Sequence, residues 1–350
     1  MKIRMKTPCC GGPAGEANSK SAGACAPPDR ASITRIGTRW SRADRAGAWK
    51  VRWGIGRYGY NVQPGLYAVG DPGEKDHVFV SSNYKLSFDL LRKALDGLNA
   101  WILVLDTRGI NVWCAAGKGT FGTDELVRRI ATTGLSHVVS HRRLILPQLS
   151  APGVAGYEVR KQSGFSVTFG PVRAEDIKSF LQNGMRADDQ MRTVRFSLND
   201  RLAVAPVESV TALKYLAILV VILSVVQAAT GSFSIASLWR HSWPLLGAVV
   251  TGTLVLPALL PWIPFRSFAL KGWLLGLAWA GVASAIGHAQ PAALARNLLL
   301  LPVVPAFLAL NFTGSTTFTS QSGVNKEIRL FARPMAACAL LGILLVILAR

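Results

Sequence analysis

Acidic side chains almost vanish from the second part of this 350-residue chain. Residues 211–350 hold one carboxylate, Glu327, and nine Lys or Arg; residues 1–210 hold 18 Asp or Glu and 30 Lys or Arg. Cysteine is also scarce, with Cys9, Cys10, Cys25, Cys114 and Cys338 too few and too scattered for a disulfide framework, which excludes a stapled secreted module. A secretory leader is not expected either: Met1–Lys6 is basic, but Thr7–Ser32 contains no apolar run. Half of all residues are hydrophobic, which excludes a disordered chain. Split by position, composition describes a polar, basic, globular first part and an apolar second part.

About 20 apolar residues cross a bilayer core of roughly 30 Å. Five stretches reach that measure: Ala212–Ala229, Ser242–Ile263, Ala269–Gly287, Leu294–Phe312 and the shorter Met335–Leu348. The second and fourth are interrupted by prolines, which neighbouring helices can accommodate. An all-α transmembrane domain of five helices is therefore expected over residues 211–350. With residues 1–210 inside, the inner segments carry Lys214, Arg266, Lys271, Lys326, Arg329 and Arg333, against Arg240, Arg296 and Arg350 outside. That bias predicts a multi-pass protein of the cytoplasmic (inner) membrane with its first part in the cytoplasm. No carboxylate lies deep in a span, which speaks against an ion pump.

Residues 1–50 read as a flexible basic N-terminal tail, Gly/Ala/Pro/Ser-rich over 11–32. Residues 33–57 interleave seven Lys or Arg with Trp40, Trp49 and Trp53, a pattern suited to membrane lipid or a partner. No nucleic-acid-binding motif accompanies it, so no nucleic acid is expected.

Residues 51–205 alternate strand and helix patterns. Val78–Ser81 predicts a strand, followed by a helix capped by Ser82 or Asn83 with Leu86, Leu90, Leu91, Ala94 and Leu95 on one face. Trp101–Leu105 predicts a buried strand, Asp124–Ile130 a helix ended by Gly134, and His137–Val139 and Leu144–Leu146 short extended runs. Phe165–Phe169 predicts a strand, Val172–Asn183 a helix, and Thr193–Phe196 a last strand. This alternation makes a parallel, Rossmann-like α/β sheet the expectation. Ligands of such sheets sit at the carboxyl ends of strands, so the loop after Asp106 is the place to look.

That loop runs from Asp106 to Thr123. Val112 stands where a Walker A loop needs Gly, so Lys118 does not belong to a P-loop. Gly117, Gly119 and Gly122 match GxGxxG but lie several residues beyond the strand. A nucleophilic Cys114 would need a base, for which His137 and His141 are available. A helix starting near Asn111 would place Asn111, Cys114 and Lys118 on one side. Ala115, Ala116, Gly117 and Gly119 would remove bulk around the sulfur, suiting a large flat ligand. On spacing alone, an ordinary buried cysteine is the commoner reading of Cys114.

Asn111–Lys118 (NVWCAAGK) resembles the cap-helix motif of the HgcA family, the corrinoid proteins of microbial mercury methylation. Trp53–Gly70, Asn83–Phe88, Trp101–Thr107, Gly119–Leu126, Ser140–Leu149, Ser163–Ala174 and Asn311–Glu327 are similar as well, so the resemblance covers roughly residues 50–335. It also relates the chain to the corrinoid subunits of the acetyl-CoA pathway (the CO dehydrogenase–acetyl-CoA synthase corrinoid family).

The resemblance implies a corrinoid-binding α/β domain followed by five membrane helices. The cofactor would be cobalamin, in its methylcobalamin form, with Cys114 as lower axial ligand to cobalt and as the catalytic residue. Asn111, Val112, Trp113, Cys114, Ala115, Ala116, Gly117, Lys118, Gly119 and Thr120 would form the cofactor-binding segment. The implied reaction is corrinoid-dependent methyl transfer to the substrate Hg(II), giving methylmercury. The alternative is a methyl-carrier subunit of acetyl-CoA-pathway one-carbon metabolism. Implied partners are HgcB, a ferredoxin-like protein with two [4Fe–4S] clusters, and a methyltetrahydrofolate-linked methyl donor enzyme. The chain departs from the acetyl-CoA-pathway proteins in lacking four spaced cysteines for a cluster of its own. The Cys9-Cys10 pair could capture Hg(II), although an unstructured tail is the simpler reading.

Overall fold

The computed structural model describes residues 30–313 and 321–348. Cys9, Cys10 and Cys25, and residues 314–320 of the Asn311–Glu327 stretch, lie outside the described residues.

Six strands form one sheet: β1 (Thr34–Ile36), β2 (Gly65–Val69), β3 (Val78–Ser82), β4 (Ala100–Leu105), β5 (Arg143–Leu146) and β6 (Ser166–Phe169), in the order β1-β2-β4-β3-β5-β6. The expected all-parallel sheet is instead mixed. β4, β3, β5 and β6 are parallel, but β2 runs antiparallel to β4 and carries β1 on its outer edge. The sheet thus departs from a regular Rossmann arrangement, because the parallel pair β1 and β2, joined through the helix Arg42–Arg52, is set antiparallel against β4. The expected Thr193–Phe196 strand is absent: Phe196 takes a left-handed φ of 47° and turns its buried ring into the helical part.

Seven helices surround the sheet: α1 (Arg42–Arg52), α2 (Lys85–Ala94), α3 (Val112–Gly117), α4 (Thr123–Thr132), α5 (Leu135–Val138), α6 (Gly156–Ser163) and α7 (Ile177–Gln182). β4 is covered on both faces, so its sequence is continuously apolar. Trp101, Leu103 and Leu105 join the core beneath α3, α4 and α6, whereas Ile102 and Val104 join the core beneath α2 and α7. Three local expectations change. Tyr84, not Ser82 or Asn83, precedes α2, and its side chain makes no cap bond. His137 is helical, in α5. The helix expected from Val172 starts as a short 3-10 turn at Ala174.

The basic segment after Arg30 belongs to the fold. α1 is closed by a capping box of Ser41 and Asp44 and packs on α2 through a buried ionic cluster. Lys85 Nζ lies 2.6 Å from Asp44 and 2.7 Å from Asp89; Arg92 meets Asp89 at 2.7 Å and Asp44 at 2.8 Å. Arg92 also donates to the carbonyls of Gly37 and Arg39, tying the β1–α1 connection to α2. Burial by itself would raise the Asp44 carboxyl, but hydrogen bonds from Lys85, Ser41 and Arg92 outweigh it and hold it well below the usual carboxylate range.

Among the described residues, five helices are long and apolar enough to cross a membrane: Leu198–Ala229, Ile235–Leu259, Phe268–Ile286, Pro291–Thr313 and Ser322–Leu348. The proline interruptions fall where expected. The second span widens to a π turn over Thr251–Val255, where Pro257 has no N–H for the Thr253 carbonyl. The fourth is two helices, Pro291–Leu300 and Val303–Thr313, meeting at Pro302. Gly272 and Gly276 of the third span, spaced as in small-xxx-small motifs, lie against the Pro305 and Pro302 backbone. A Cβ at Gly276 would stand 2.5 Å from Pro302 Cα.

Two cations enter the helical core. Lys271 Nζ donates to the Leu260 carbonyl at 2.7 Å, and Arg201 Nη1 donates to the Pro257 and Ala258 carbonyls, each at 2.7 Å. The i+4 partners of Leu260 and Pro257 are Pro264 and Pro261, which have no N–H to offer. The cations take the place of the N–H donors that the prolines lack.

Candidate functional site

The four parallel strands run β4-β3-β5-β6, so the chain reverses its direction of winding between β3 and β5. Crevices at the carboxyl ends of strands at such a reversal are where open α/β sheets bind ligands. A cavity of about 310 Å³ lies there. Its floor is β3 and β5 with Pro147; α2 supplies Leu90 and Leu91; the far wall includes Pro171 and Val172; and the start of α3 closes it with Val112 and Trp113. Most of the lining is apolar, with Asn111 and Ser87 among the polar exceptions.

The loop from β4 to α3 is built by a residue that sequence reasoning assigned elsewhere. Asn83, buried after β3, accepts hydrogen bonds through Oδ1 from the Thr107 amide at 3.1 Å, the Thr107 hydroxyl at 2.8 Å and the Gly109 amide at 2.9 Å. Gly109 has a φ of 71°, a left-handed conformation that favours glycine. Asp106 accepts from the Arg108 amide, and Glu125 of α4 accepts from the Asp106 amide. The local signal at Asn83 is a polar amide at the carboxyl end of an apolar strand, which marks the residue but not its distant partners, Thr107 and Gly109.

Asn111 then caps α3, its Oδ1 accepting from the Cys114 amide at 2.9 Å. This bond orients the backbone of Cys114 rather than its sulfur. Cys114 is a free thiol, half-buried on the first turn of α3. It is not among the residues lining the cavity, although Asn111, Val112 and Trp113 are. The expected bare surface divides in two. Ala115 and Ala116 point inward and belong to the core, so their small size serves helix-to-sheet packing. Gly117 and Gly119 are exposed, and a Cβ at either would meet nothing within 4 Å. Lys118 is exposed at the C-cap, and the Thr120 hydroxyl bonds back to the Ala115 carbonyl.

The paired base for Cys114 is not found. His141 bonds the Asp76 carbonyl at 2.9 Å beside His77, where β3 and β5 begin. His137 lies in α5, on the way into β5. These imidazoles belong to the amino edge of the sheet, whereas Cys114 follows the carboxyl end of β4. Among the described residues, no group of three or more His, Cys, Asp or Glu is arranged to hold a metal ion.

Residues 56–181 match the family model described as CO dehydrogenase/acetyl-CoA synthase delta subunit. The chain is 33% identical over 123 residues to the acetyl-CoA decarbonylase/synthase complex subunit gamma of Archaeoglobus fulgidus, covering 35% of this chain and 26% of that protein. The corresponding subunit of Methanocaldococcus jannaschii is 32% identical over 124 residues, with 35% and 25% covered. That of Methanopyrus kandleri is 32% identical over 123 residues, with 35% and 26% covered. The chain thus spans about a quarter of the length of these relatives. The names of the family model and of these relatives refer to acetyl-CoA synthesis or cleavage, not to mercury. The match begins after α1 and ends before the first span, so it is the sheet with its Cys114 edge that is similar to these acetyl-CoA synthase subunits.

Proposed function

We propose that the sheet domain carries a corrinoid and takes part in methyl transfer, held at a membrane by the five spans, with Cys114 as the lower ligand to cobalt. The single observation that carries this reading is the placement of a free, half-buried thiol on the first turn of α3, at the carboxyl edge of a domain similar to acetyl-CoA synthase corrinoid subunits. The residues present fit such a group. A single sulfur with no polydentate set around it suits a metal that brings its own ring of ligands. Exposed Gly117 and Gly119 leave room beside the sulfur for a flat macrocycle, and the apolar cavity next to Trp113 can take an appended group.

When bound, the corrinoid supplies a cobalt–carbon bond from which a methyl group can be passed on. The chain's own residues position it. Asn111 fixes the first turn of α3, and with it the backbone position from which the Cys114 side chain projects. Ala115 and Ala116 seat the helix on the sheet, so the sulfur cannot retreat. Val112 and Trp113 exclude water on the cavity side. Gly117, Lys118, Gly119 and Thr120 form the solvent-side rim, where Lys118 is free to meet a polar substituent.

For the acceptor, we favour Hg(II) as substrate over a nickel-cluster partner on one specific ground. The NVWCAAGK string resembles the cap helix of the mercury-methylation family, and the five spans lie beyond the 56–181 match to the acetyl-CoA-pathway family. A ferredoxin-like reductant with two [4Fe–4S] clusters and a methyltetrahydrofolate-linked donor complete this reading. The excess of Lys and Arg in residues 1–210 suits an acidic reductant. Placement of the sheet domain in the cytoplasm rests on the Lys/Arg bias of the segments joining the spans.

The test uses the full chain loaded with cobalamin. Cys114→Ala is expected to lose the absorption signature of thiolate-bound cobalt and, in cells, production of methylmercury. Parental methylmercury production by Cys114→Ala would sink the mercury reading. Methyl transfer to a nickel-cluster acceptor but none to Hg(II) would move the assignment to the acetyl-CoA pathway.

A further inference from the structure

α1 presents two different faces. Ala48 and Val51 are buried and Asp44 joins the ionic cluster with α2, whereas Arg42, Arg45, Trp49 and Trp53 lie at i, i+3, i+7 and i+11 on the opposite side. Their side is open: Trp49 is 58% exposed, and its ring lies 5.7 Å from that of Trp53. The chain continues into an equally open turn, where Ile55 is 54% and Tyr58 94% exposed, flanked by Lys50, Arg52 and Arg57. Four large apolar side chains and several cations in one short segment are more than scattered surface hydrophobics.

This segment stands beside the first span. Gly54 packs on Val207, where an added Cβ would lie 3.3 Å from Val207 Cγ2, and Arg57 is within electrostatic reach of Glu208. Val207 precedes Ala212, where the first apolar stretch begins, with Lys214 and Tyr215 on its opening turn. The interval of five residues is about 7 Å along a helix. Headgroup layers add roughly 5–8 Å on each side of the hydrocarbon core. The aromatic and basic turn therefore sits at headgroup depth, where Trp and Tyr collect and Lys and Arg meet anionic lipid.

We infer that the exposed face of α1 and the 53–58 turn form an interfacial anchor on the phospholipid headgroups of the membrane that the chain's own spans cross. The anchor also orients the functional edge. The Tyr58 carbonyl is 3.4 Å from the Cβ position of Gly109, and the Lys85 amide donates to the Tyr60 carbonyl at 3.0 Å, so the turn abuts the loop that leads to Cys114. Lipid contact at Trp49, Trp53, Ile55 and Tyr58 holds the carboxyl edge of the sheet toward the membrane and leaves the amino edge, with His141, facing away.

The inference rests on the spans crossing a bilayer, and the experiment separates the two. A benzophenone amino acid is placed at Tyr58, at Ile222 within the first span, or at His137 on α5, in the full chain in nanodiscs of phosphatidylglycerol and phosphatidylcholine. After irradiation, peptides carrying residues 58 and 222 are expected to gain the mass of one phospholipid, and the peptide carrying 137 is not. Enrichment of phosphatidylglycerol over its share of the bilayer is expected at 58. In a Trp49→Ser/Trp53→Ser background, the yield at 58 should fall several-fold while that at 222 stays unchanged. Lipid capture at 222 but not at 58, or equal capture at 58 and 137, overturns the anchor. Absence of capture at 222 overturns the membrane reading and the anchor with it.

Discussion

The sheet domain and the helical bundle bury charge in opposite ways. In the sheet domain, Lys85 and Arg92 are matched by carboxylates, Asp44 and Asp89, in a four-residue cluster. In the bundle, Arg201 and Lys271 are matched by backbone carbonyls, among them those of Pro257 and Leu260, which Pro261 and Pro264 leave without N–H partners. The difference follows from composition. The surroundings of α1 and α2 supply carboxylates as counter-ions, whereas the segment 257–260 that receives Arg201 and Lys271 comes from residues 211–350, which hold one carboxylate, and offers peptide dipoles instead. Burial of a cation is therefore tied to salt pairing in one region and to helix breaks in the other.

The sharpest break of this comparison comes from Arg92→Leu. It leaves Asp44 and Asp89 as buried carboxylates short of a partner and should cost about 3–5 kcal/mol, read as a lower midpoint for the sheet domain in chemical denaturation. Acid should act on the same cluster. Because the Asp44 carboxyl is held below its ordinary value, its contribution is complete above about pH 4 and fades as the pH falls further. The Arg92→Leu variant should show a weaker loss over that window; an unchanged acid profile would remove Asp44 as its source.

Gly276→Leu tests the bundle by packing rather than by charge. The side chain would collide with the Pro302 backbone, and a cost of about 3 kcal/mol or more is expected in thermal unfolding of the detergent-solubilised chain. Lys271→Met should cost about 1–3 kcal/mol, because the Leu260 carbonyl loses its donor while no carboxylate is stranded. Equal losses in Lys271→Met and Arg92→Leu would erase the proposed distinction between the two regions. The smallest effect belongs to the site. Asn111→Ala removes the α3 cap for about 1 kcal/mol, read as faster amide exchange at Cys114 and weaker cobalamin uptake with global stability nearly unchanged.

Much of the sheet was legible because its signals are local. The apolar runs at Val78–Ser82 and Ala100–Leu105 are strands, and the periodic leucines after Tyr84 form α2. Strands β1 and β2, on the β4 side of the sheet, were not legible. Thr34–Ile36 is three residues long and only partly buried, and its strand state comes from pairing with Tyr67–Val69. The site was legible as a helix start at Asn111 with Cys114 on its first turn, since an Asn cap acts over three residues. The role of Asn83 was hidden because its partners, Thr107 and Gly109, lie more than twenty residues away.

The sequence by itself determined the division into a basic α/β part and five apolar spans, the places where proline breaks those spans, and the cysteine to examine. Each rests on composition or on spacing within one or two turns, where covalent geometry sets the neighbours. Only the tertiary structure decided that β2 runs antiparallel, that Ala115 and Ala116 face the core, that the cavity meets Trp113 rather than Cys114, and that Arg201 and Lys271 close proline-freed carbonyls. These outcomes depend on which distant segments pack together, and packing is a property of the whole chain rather than of any window in it.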